Sequence, residues 1–548
     1  MRFQTLRFMI QMCLALGALA PHPLCAELLP PDTELAAAID HYIDARLQSE
    51  NIPATGPATD AVLLRRTTLD LAGRIPTAAE AKTYVADTDP HKRDHLVEAL
   101  LAIPDYAYHQ RNELDLLLLA RLKTDGPWRD YLLMAIRENR PWDQMFREMM
   151  TSQDQSAEKK AAALGFLRAR AENAEKMAND TSALFFGVTI NCAKCHDHPL
   201  VDDWQQDHFY GMTSFFSRTY QTKKGTLAEK PSGLVKFKPT DGDEQNAAFM
   251  FLSGTVVVEP HRELTEEQSK AEDAEIKRQK EDDKAPMPQV PDFSPRAKLV
   301  ETALQPENNR FLARSIVNRI WKRLMGHALI DPPDQVHSEN PASHPRLMEW
   351  LVRDLISHGY DLKRLIRGIV KTRAYGRSSR LEAEGEYPEK ETFAVASVRA
   401  LSPQQYALSL RIASTNPGSM IDDRTSEAWA QKRDSLENEA SGFATRIEKP
   451  GESFSVSVDE ALLFSNNEEI QSTFLSEADN KLVGHLKNIE DSRALIVEAV
   501  WSTLTRAPTE EELVALQEYF EDRQERRIDG IKQIVWALLC SPEMRFNY

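Results

Sequence analysis

Cysteine is scarce in this chain, five residues in 548, and the scarcity excludes a disulfide framework. Cys13 and Cys25 fall in an N-terminal segment that reads as removable, which leaves Cys192, Cys195 and Cys540. One close pair and one distant singleton do not form the even sets that bridge secreted domains. Clustered positive charge is also missing. Acidic residues outnumber basic ones, 84 to 67, for a net charge of -17, and no basic arm appears anywhere. Phosphate binding needs clustered cations, so no nucleic-acid partner is expected. Long apolar runs are absent too. The apolar stretch from Phe8 to Ala20 is shorter than the ~20 residues of a spanning helix, so no integral membrane span is expected after processing.

What is present at the N-terminus has the form of an address: Arg2 and Arg7, the apolar stretch, then small residues ending at Cys25-Ala26. Residues 1–26 are therefore predicted to be a signal peptide cleaved after Ala26, which places the chain in the periplasm or cell envelope. Cys25 lacks the small residues that precede a lipoprotein cysteine. The chain is too long for one core, and two or three units are expected.

From Glu34 to Asn191 apolar residues recur at three- and four-residue spacing, the signature of helices. Asp125-Gly126-Pro127 opens one helix with Trp128, Tyr131, Leu132, Ala135 and Ile136 on a single face. Punctuation repeats between the two ends of the chain. Arg74-Ile75-Pro76-Thr77 with Glu80 matches Arg506-Ala507-Pro508-Thr509 with Glu512. In each, a Thr hydroxyl three residues before a Glu predicts a reciprocal helix cap. Each cap leads into a helical pair, ending at Ile103-Pro104 and at Cys540-Ser541-Pro542, with Cys540 read as a small buried hydrophobe. Residues 225–260 turn β-rich, and Glu263 to Lys284 is a charged stretch leading to Pro286, Pro288, Pro291 and Pro295. Helical spacing resumes at Phe311, Ile316, Ile320 and Leu324, then at Leu347, Trp350, Leu351 and Leu355. Ser435 to Ser465 reads as irregular, with a short strand at Ser453 to Val458. The expected fold is mainly α, with two helical domains, 27–224 and 297–548, separated by a β-rich insert and charged linker at 225–296.

The chemistry concentrates at Cys192-Ala193-Lys194-Cys195-His196. Two thiols three apart, followed at once by histidine, allow both sulfurs to add to the vinyl groups of haem while the imidazole ligates iron from the same side. Leu184, Phe185, Phe186, Val188 and Ile190 before the motif, and Trp204, Phe209, Phe215 and Phe216 after it, are enough apolar surface to wall a macrocycle. Met212 and Met177 are candidates for the sixth ligand, with His208 as the alternative nitrogen ligand. His198 suits a supporting hydrogen bond before Pro199. A rival arrangement takes Cys192, Cys195, His196 and His198 as a zinc site, though zinc ligands usually come as two separated pairs. A Cys192-Cys195 redox disulfide is a third reading, without a thioredoxin-like βαβ pattern around it.

These residues resemble a known pairing: a planctomycete-type cytochrome-like domain of unknown function joined to its usual C-terminal partner domain, also of unknown function. The N-terminal resemblance rests on Leu64-Arg65-Arg66, Leu69-Asp70-Leu71-Ala72-Gly73-Arg74-Ile75-Pro76-Thr77, Glu138-Asn139-Arg140-Pro141-Trp142-Asp143, and the segment from Phe186-Gly187 through the cysteine motif to His198-Pro199, Trp204 and Phe215-Phe216. The C-terminal one rests on Asn308-Asn309-Arg310-Phe311, Val317-Asn318-Arg319-Ile320-Trp321, Asn340-Pro341, Ser343-His344-Pro345, Gly359-Tyr360-Asp361 and Arg373-Ala374-Tyr375. The resemblance implies an exported cytochrome-like protein and names no substrate. Arg65, Arg66, Asp70 and Arg74 are expected to form a buried ion network that fixes helix order. Asn318, Arg319, Asp334, Asn340 and His344 are candidates for a polar cleft.

The leading expectation is a monohaem c-type electron-transfer or redox subunit of a cell-envelope system. It would carry covalent haem c on Cys192, Cys195 and His196 and work with a redox partner protein or envelope complex. The alternative is a haem-free, zinc-binding structural or interaction protein, or an envelope-associated hydrolase. If the protein is an enzyme, a haem-dependent oxidoreductase is the expected class.

Overall fold

The computed structural model describes residues 28–120, 126–151, 162–197, 201–240, 242–260, 265–381, 385–447, 468 and 470–548. The predicted signal peptide, the strand expected at Ser453 to Val458, and His198 lie outside these residues. More than half of the chain is helical, and the strands among the described residues form two-stranded ribbons. Three of these ribbons, Thr219–Gln221 with Leu227–Glu229, Lys236–Phe237 with Gln245–Asn246, and Phe249–Met250 with Val256–Val257, make up the expected β-rich stretch.

The predicted helices form where the periodicity placed them. Gly126–Arg137 buries Trp128, Tyr131, Leu132 and Ala135. Asn309–Met325 buries Ile316, Ile320 and Leu324, and Pro345–Ser357 buries Leu347, Trp350, Leu351 and Leu355. The charged stretch forms the helix Glu266–Glu281, opened by a Thr265/Gln268 capping box. It is docked by its one buried side chain, Gln279, whose Oε1 accepts the Tyr220 hydroxyl at 2.5 Å. One element differs from expectation: Ser435 to Ala444 belongs to the helix Glu427–Ala444. Its buried face carries Arg433 and Glu437 beside Trp429, Leu436, Ala440 and Phe443. Paired charges inside the stripe hide the apolar period that marks other helices.

The apolar interior is not divided at residue 297. One core runs from Leu35 to Ala394, drawing on helices from both sides of the charged stretch. A second gathers Leu401 to Met544 and takes in Leu69 and Ile75 from near the N-terminus. The change in composition near 297 thus marks a surface excursion, while the packing break falls near residue 400.

The repeated punctuation is realised at both ends. Thr77 Oγ1 accepts from the Glu80 amide at 3.3 Å while Glu80 Oε2 accepts from the Thr77 amide at 2.7 Å. Thr509 and Glu512 repeat the pair at 3.1 and 2.9 Å. Each Glu also grips the preceding Arg through two bonds: Arg74 to Glu80 at 2.8 and 2.9 Å, and Arg506 to Glu512 at 2.7 and 2.7 Å. The Nε of each Arg then reaches the acid that follows a helix-opening proline, Asp105 at 2.7 Å and Glu543 at 2.9 Å. A proline at the first helical position with an acid beside it suits the free amides and dipole there. The two copies touch: Trp501 packs on the Leu64, Ala81 and Tyr84 cluster, and Lys82 pairs with Glu498 at 2.6 Å.

The expected ion network is built in part from carbonyls. Asp70 takes Arg399 NH1 and NH2 at 2.9 and 2.8 Å, the Tyr375 hydroxyl at 2.7 Å and Asn547 Nδ2 at 2.9 Å. Arg66 instead donates to the Tyr375 and Arg377 carbonyls and Arg65 to that of Glu543. These contacts tie the start of the chain to its last residues across the two cores.

Candidate functional site

The cysteine motif follows the helix Ala174–Phe186, which Asn173 caps by accepting from the Lys176 amide at 3.0 Å. Gly187 ends that helix at φ 74. A Cβ there would lie 3.0 Å from Val336 Cγ2 and 3.3 Å from the Pro333 carbonyl, so only glycine meets both the left-handed backbone and the close approach. Residues 187–189 then run antiparallel to 334–336. The Val336 amide donates to Gly187 O at 3.0 Å, the Thr189 amide donates to Asp334 O at 2.9 Å, and Val188 is bridged to Gln335.

Asn191–Lys194 forms one 3-10 turn, with Ala193 buried beneath it and Cys192, Cys195 and His196 exposed. Side chains three apart eclipse one another in this conformation, so the two free thiols lie on one side of the turn. The turn is held from behind. Lys194 O accepts from the Tyr210 hydroxyl at 3.1 Å and from Gln206 Nε2 at 3.3 Å, and Lys194 Nζ pairs with Glu175 at 2.6 Å. Asp197 Oδ1 accepts from the Gln206 amide at 3.0 Å, satisfying a free donor at the start of the helix Gln206–Ser214. Tyr210 is fixed in turn by stacking on Phe237 at 4.3 Å. At the far stem of the loop, Asp203 accepts from the Ser338 amide at 2.8 Å and hydroxyl at 2.9 Å. One segment, 334–338, therefore braces both ends of the motif loop.

The two nearby imidazoles are set in opposite tautomers by the backbone. His196 Nδ1 lies 2.6 Å from the Asp197 carbonyl, which can only accept, so Nδ1 carries a proton and a neutral ring keeps the Nε2 lone pair free. Histidine ligands to metals are commonly oriented by such a bond. His208 Nδ1 accepts from the Gln205 amide at 3.2 Å, which puts its proton on Nε2. Burial holds the pKa of His208 below the ordinary imidazole range, and Trp204 packs edge-on at 5.8 Å. In this arrangement the exposed ring is ready to ligate through Nε2 and His208 is not.

The other residues singled out in the sequence fall elsewhere. Met212 and Met177 are fully buried in the first core. Gln206 and Tyr210, four apart, share the helix face that meets the motif, and Met212, two residues beyond Tyr210, projects from the opposite side. Phe185, Phe186, Ile190, Phe209, Phe215 and Phe216 are completely buried as well. Together with Ala193 they belong to the first core, where Phe185, Phe186 and Phe215 meet Phe146, Phe251 and Phe249 in turn. His198, the fourth ligand of the zinc alternative, lies outside the described residues. Among the described residues no three His, Cys, Asp or Glu side chains gather as a metal-holding group. Cys540 is half-buried, and burial pushes its thiol up to about 11.

Three of the five candidate cleft residues bind backbone, while His344 Nδ1 meets the Ser343 hydroxyl at 3.1 Å. Asn318 exchanges two bonds with Ile330, Asn340 donates to the Asp331 and Gln335 carbonyls, and Arg319 donates to the Ala183 carbonyl at the end of the helix before the motif. They shape and seat segment 330–340, a role that residue type and spacing alone do not display. A polar cavity does exist, at the seam between the two cores, lined in part by Asp70, His109, Lys322, Arg323, Arg399 and Asn547. Its residues come from five separate parts of the chain, and no local signal marks them.

Comparison with known families separates the loop from its brace. Residues 38–221 match the family model PSCyt2, a protein of unknown function (DUF1549), and residues 295–447 match PSD1, a protein of unknown function (DUF1553). No curated protein and no solved structure shows significant similarity to the chain. The cysteine motif lies in the first match and segment 334–338 in the second. The chain thus belongs with proteins that join a PSCyt2 domain to a PSD1 domain, in that order, both of unknown function.

Proposed function

We propose that this chain is an exported c-type cytochrome-like protein of the periplasm or cell envelope. It would hold one covalent haem at Cys192, Cys195 and His196 and act as an electron-transfer or redox subunit for a partner protein. The observation that carries this reading is the pairing of two exposed free thiols on one side of a 3-10 turn with an adjacent imidazole whose Nε2 is left free by the Asp197 carbonyl. The donor set fits the group. When bound, haem supplies one-electron chemistry at iron, tuned by its axial ligands and exposure.

The chain's own residues have distinct tasks in this account. Cys192 and Cys195 would hold the macrocycle through their sulfurs, and His196 would supply an imidazole ligand. The Asp197 carbonyl fixes the imidazole plane and raises the basicity of Nε2. Tyr210, Gln206 and Glu175 keep the turn from shifting through their bonds to Lys194. Ala193, buried with Phe185, Phe186 and Phe215 in the first core, gives this turn a rigid base. No ligand role is assigned to Met212, whose side chain belongs to that interior.

Expression in a host competent for c-type maturation tests the reading. The expected product keeps a haem-staining band on a denaturing gel and gains the mass of one haem, and Cys192→Ala with Cys195→Ala removes both signals. A wild-type mass equal to the bare polypeptide overturns it.

A further inference from the structure

The cavity at the seam between the two cores has a volume of about 350 Å³, within the ~300–1,000 Å³ usual for small-molecule sites. Its wall has two characters, apolar at Leu116, Gly326 and Leu401 and polar at Asp70, His109 and Arg323. Most of the polar side is already spent on the protein. Asp70 holds both terminal nitrogens of Arg399, the Tyr375 hydroxyl and the Asn547 amide. Lys322 pairs with Asp331 at 2.7 Å, and Glu113 is engaged as well. His109 stays neutral, held below the ordinary imidazole range by burial first and then by the charge of Arg323, which sets that guanidinium beside the ring.

Arg323 is the exception. Among the described residues its side chain makes no ion pair, and it bonds only through Nη2, to Gln110 Oε1 at 2.8 Å. Its Nε is enclosed without a partner, whereas Nη1 has no partner and is not enclosed. A half-buried guanidinium on a cavity wall, short of water and without a counter-ion, favours an anion there. The helix Pro403–Ala413 starts at the same wall, where its cap Ser402 and Gln405 both line the cavity, and a helix N-terminus also favours negative charge. We propose that this cavity binds a small organic monocarboxylate, with the carboxylate on Arg323 and the carbon body against Leu116 and Leu401. One uncommitted cation matches one negative charge, and the apolar wall suits a hydrocarbon where phosphate or sulfate has none. The wall residues other than Asn547 fall within the two family matches, so the ligand touches both PSCyt2 and PSD1. The inference is independent of the haem reading, since no residue of the cysteine motif lines this cavity.

The test is calorimetric titration of the full-length protein with acetate, butyrate, butylamine, phosphate and sulfate, at an ionic strength held constant with chloride. Butyrate is expected to bind saturably and more tightly than acetate, and butylamine not to bind. Arg323→Gln should weaken butyrate by ~10-fold or more, because a charge-assisted contact is lost. Leu116→Trp fills the apolar side while sparing Arg323 and should abolish binding. Thermal unfolding in chloride checks that both variants are folded, and the wild-type series decides alone if they are not. Absence of saturable butyrate binding, equal binding of butylamine, or unchanged affinity in folded Arg323→Gln overturns the proposal. Phosphate or sulfate binding more tightly than butyrate overturns the ligand class.

Discussion

Arg74 and Asp105 meet at 2.7 Å with neither side chain exposed, whereas their counterparts Arg506 and Glu543 make the same contact with both side chains in partial reach of water. The comparison sets one interaction in two environments within a single molecule. Removing one partner of a buried pair strands the other charge, at a cost of about 3–5 kcal/mol, while a more exposed pair lets water take its place. Arg74→Ala is therefore expected to destabilise the protein by ~3–5 kcal/mol and Arg506→Ala by clearly less. Urea unfolding of the two variants checks the order, and equal losses would count against burial as the cause.

Two buried imidazoles make stability fall on the acid side. Burial first, with Arg46 adding repulsion, pushes His344 down to about 4, and burial with Arg323 and Arg433 nearby pushes His109 down to about 3. Both rings stay neutral in the fold and take up protons on unfolding once the pH is below the ordinary value near ~6.5, so the unfolded state binds more protons there. Their contribution is complete above that pH and is lost as the pH falls toward about 4 for His344 and about 3 for His109. Each adds a slope of up to ~1.4 kcal/mol per pH unit in its window. His344→Gln should flatten the decline between pH 6 and pH 5 in unfolding titrations; an unchanged slope would refute the assignment.

The thiols are expected to sort by environment in a haem-free chain lacking residues 1–26. Cys192 and Cys195 are exposed, and Cys540 is half-buried with its thiol pushed up to about 11. Only the thiolate attacks an alkylating reagent. Iodoacetamide with mass detection should find two rapid additions and a third that waits for denaturant. Rapid modification of all three would place Cys540 at the surface.

Asp203→Ala removes both bonds to Ser338 and should free the exit stem of the motif loop. Each lost bond is worth ~0.5–1.5 kcal/mol, too little to unfold the protein. Hydrogen exchange should accelerate in 189–197, 201–203 and 334–338 while the helices Asn309–Met325 and Pro345–Ser357 keep their protection. Uniform acceleration would mean that the brace is not local.

What could be read in the sequence is what residue spacing encodes. The Thr77/Glu80 and Thr509/Glu512 caps, the helices around Trp128, Ile316 and Trp350, and the cysteine motif all declare themselves within a few residues. The pairing of Val188 with Gln335 and the reach of Arg319 to Ala183 O do not, since they join points well over a hundred residues apart. Met212 is a donor by residue type alone, and which helix face meets the motif is set by packing that spacing does not display, since two residues along a helix nearly reverse direction. The helix through Ser435 is not marked by periodicity because Arg433 and Glu437 neutralise one another inside, at 2.7 Å, where an apolar stripe would normally appear.

The contact between Asn547 and Asp70 spans 477 positions, and it governs when the molecule can be finished. Asp70, Tyr375 and Arg399 wait for an amide made 477 positions after Asp70, and Trp501 must travel back to cover Leu64 and Tyr84. Native pairing of such remote segments is slow, and the half-made chain shows greasy surface to its neighbours meanwhile. A stalled product that lacks Trp501 and Asn547 would thus be prey for proteases, and chaperone dependence should be set by these late segments more than by the half that carries the cysteine motif.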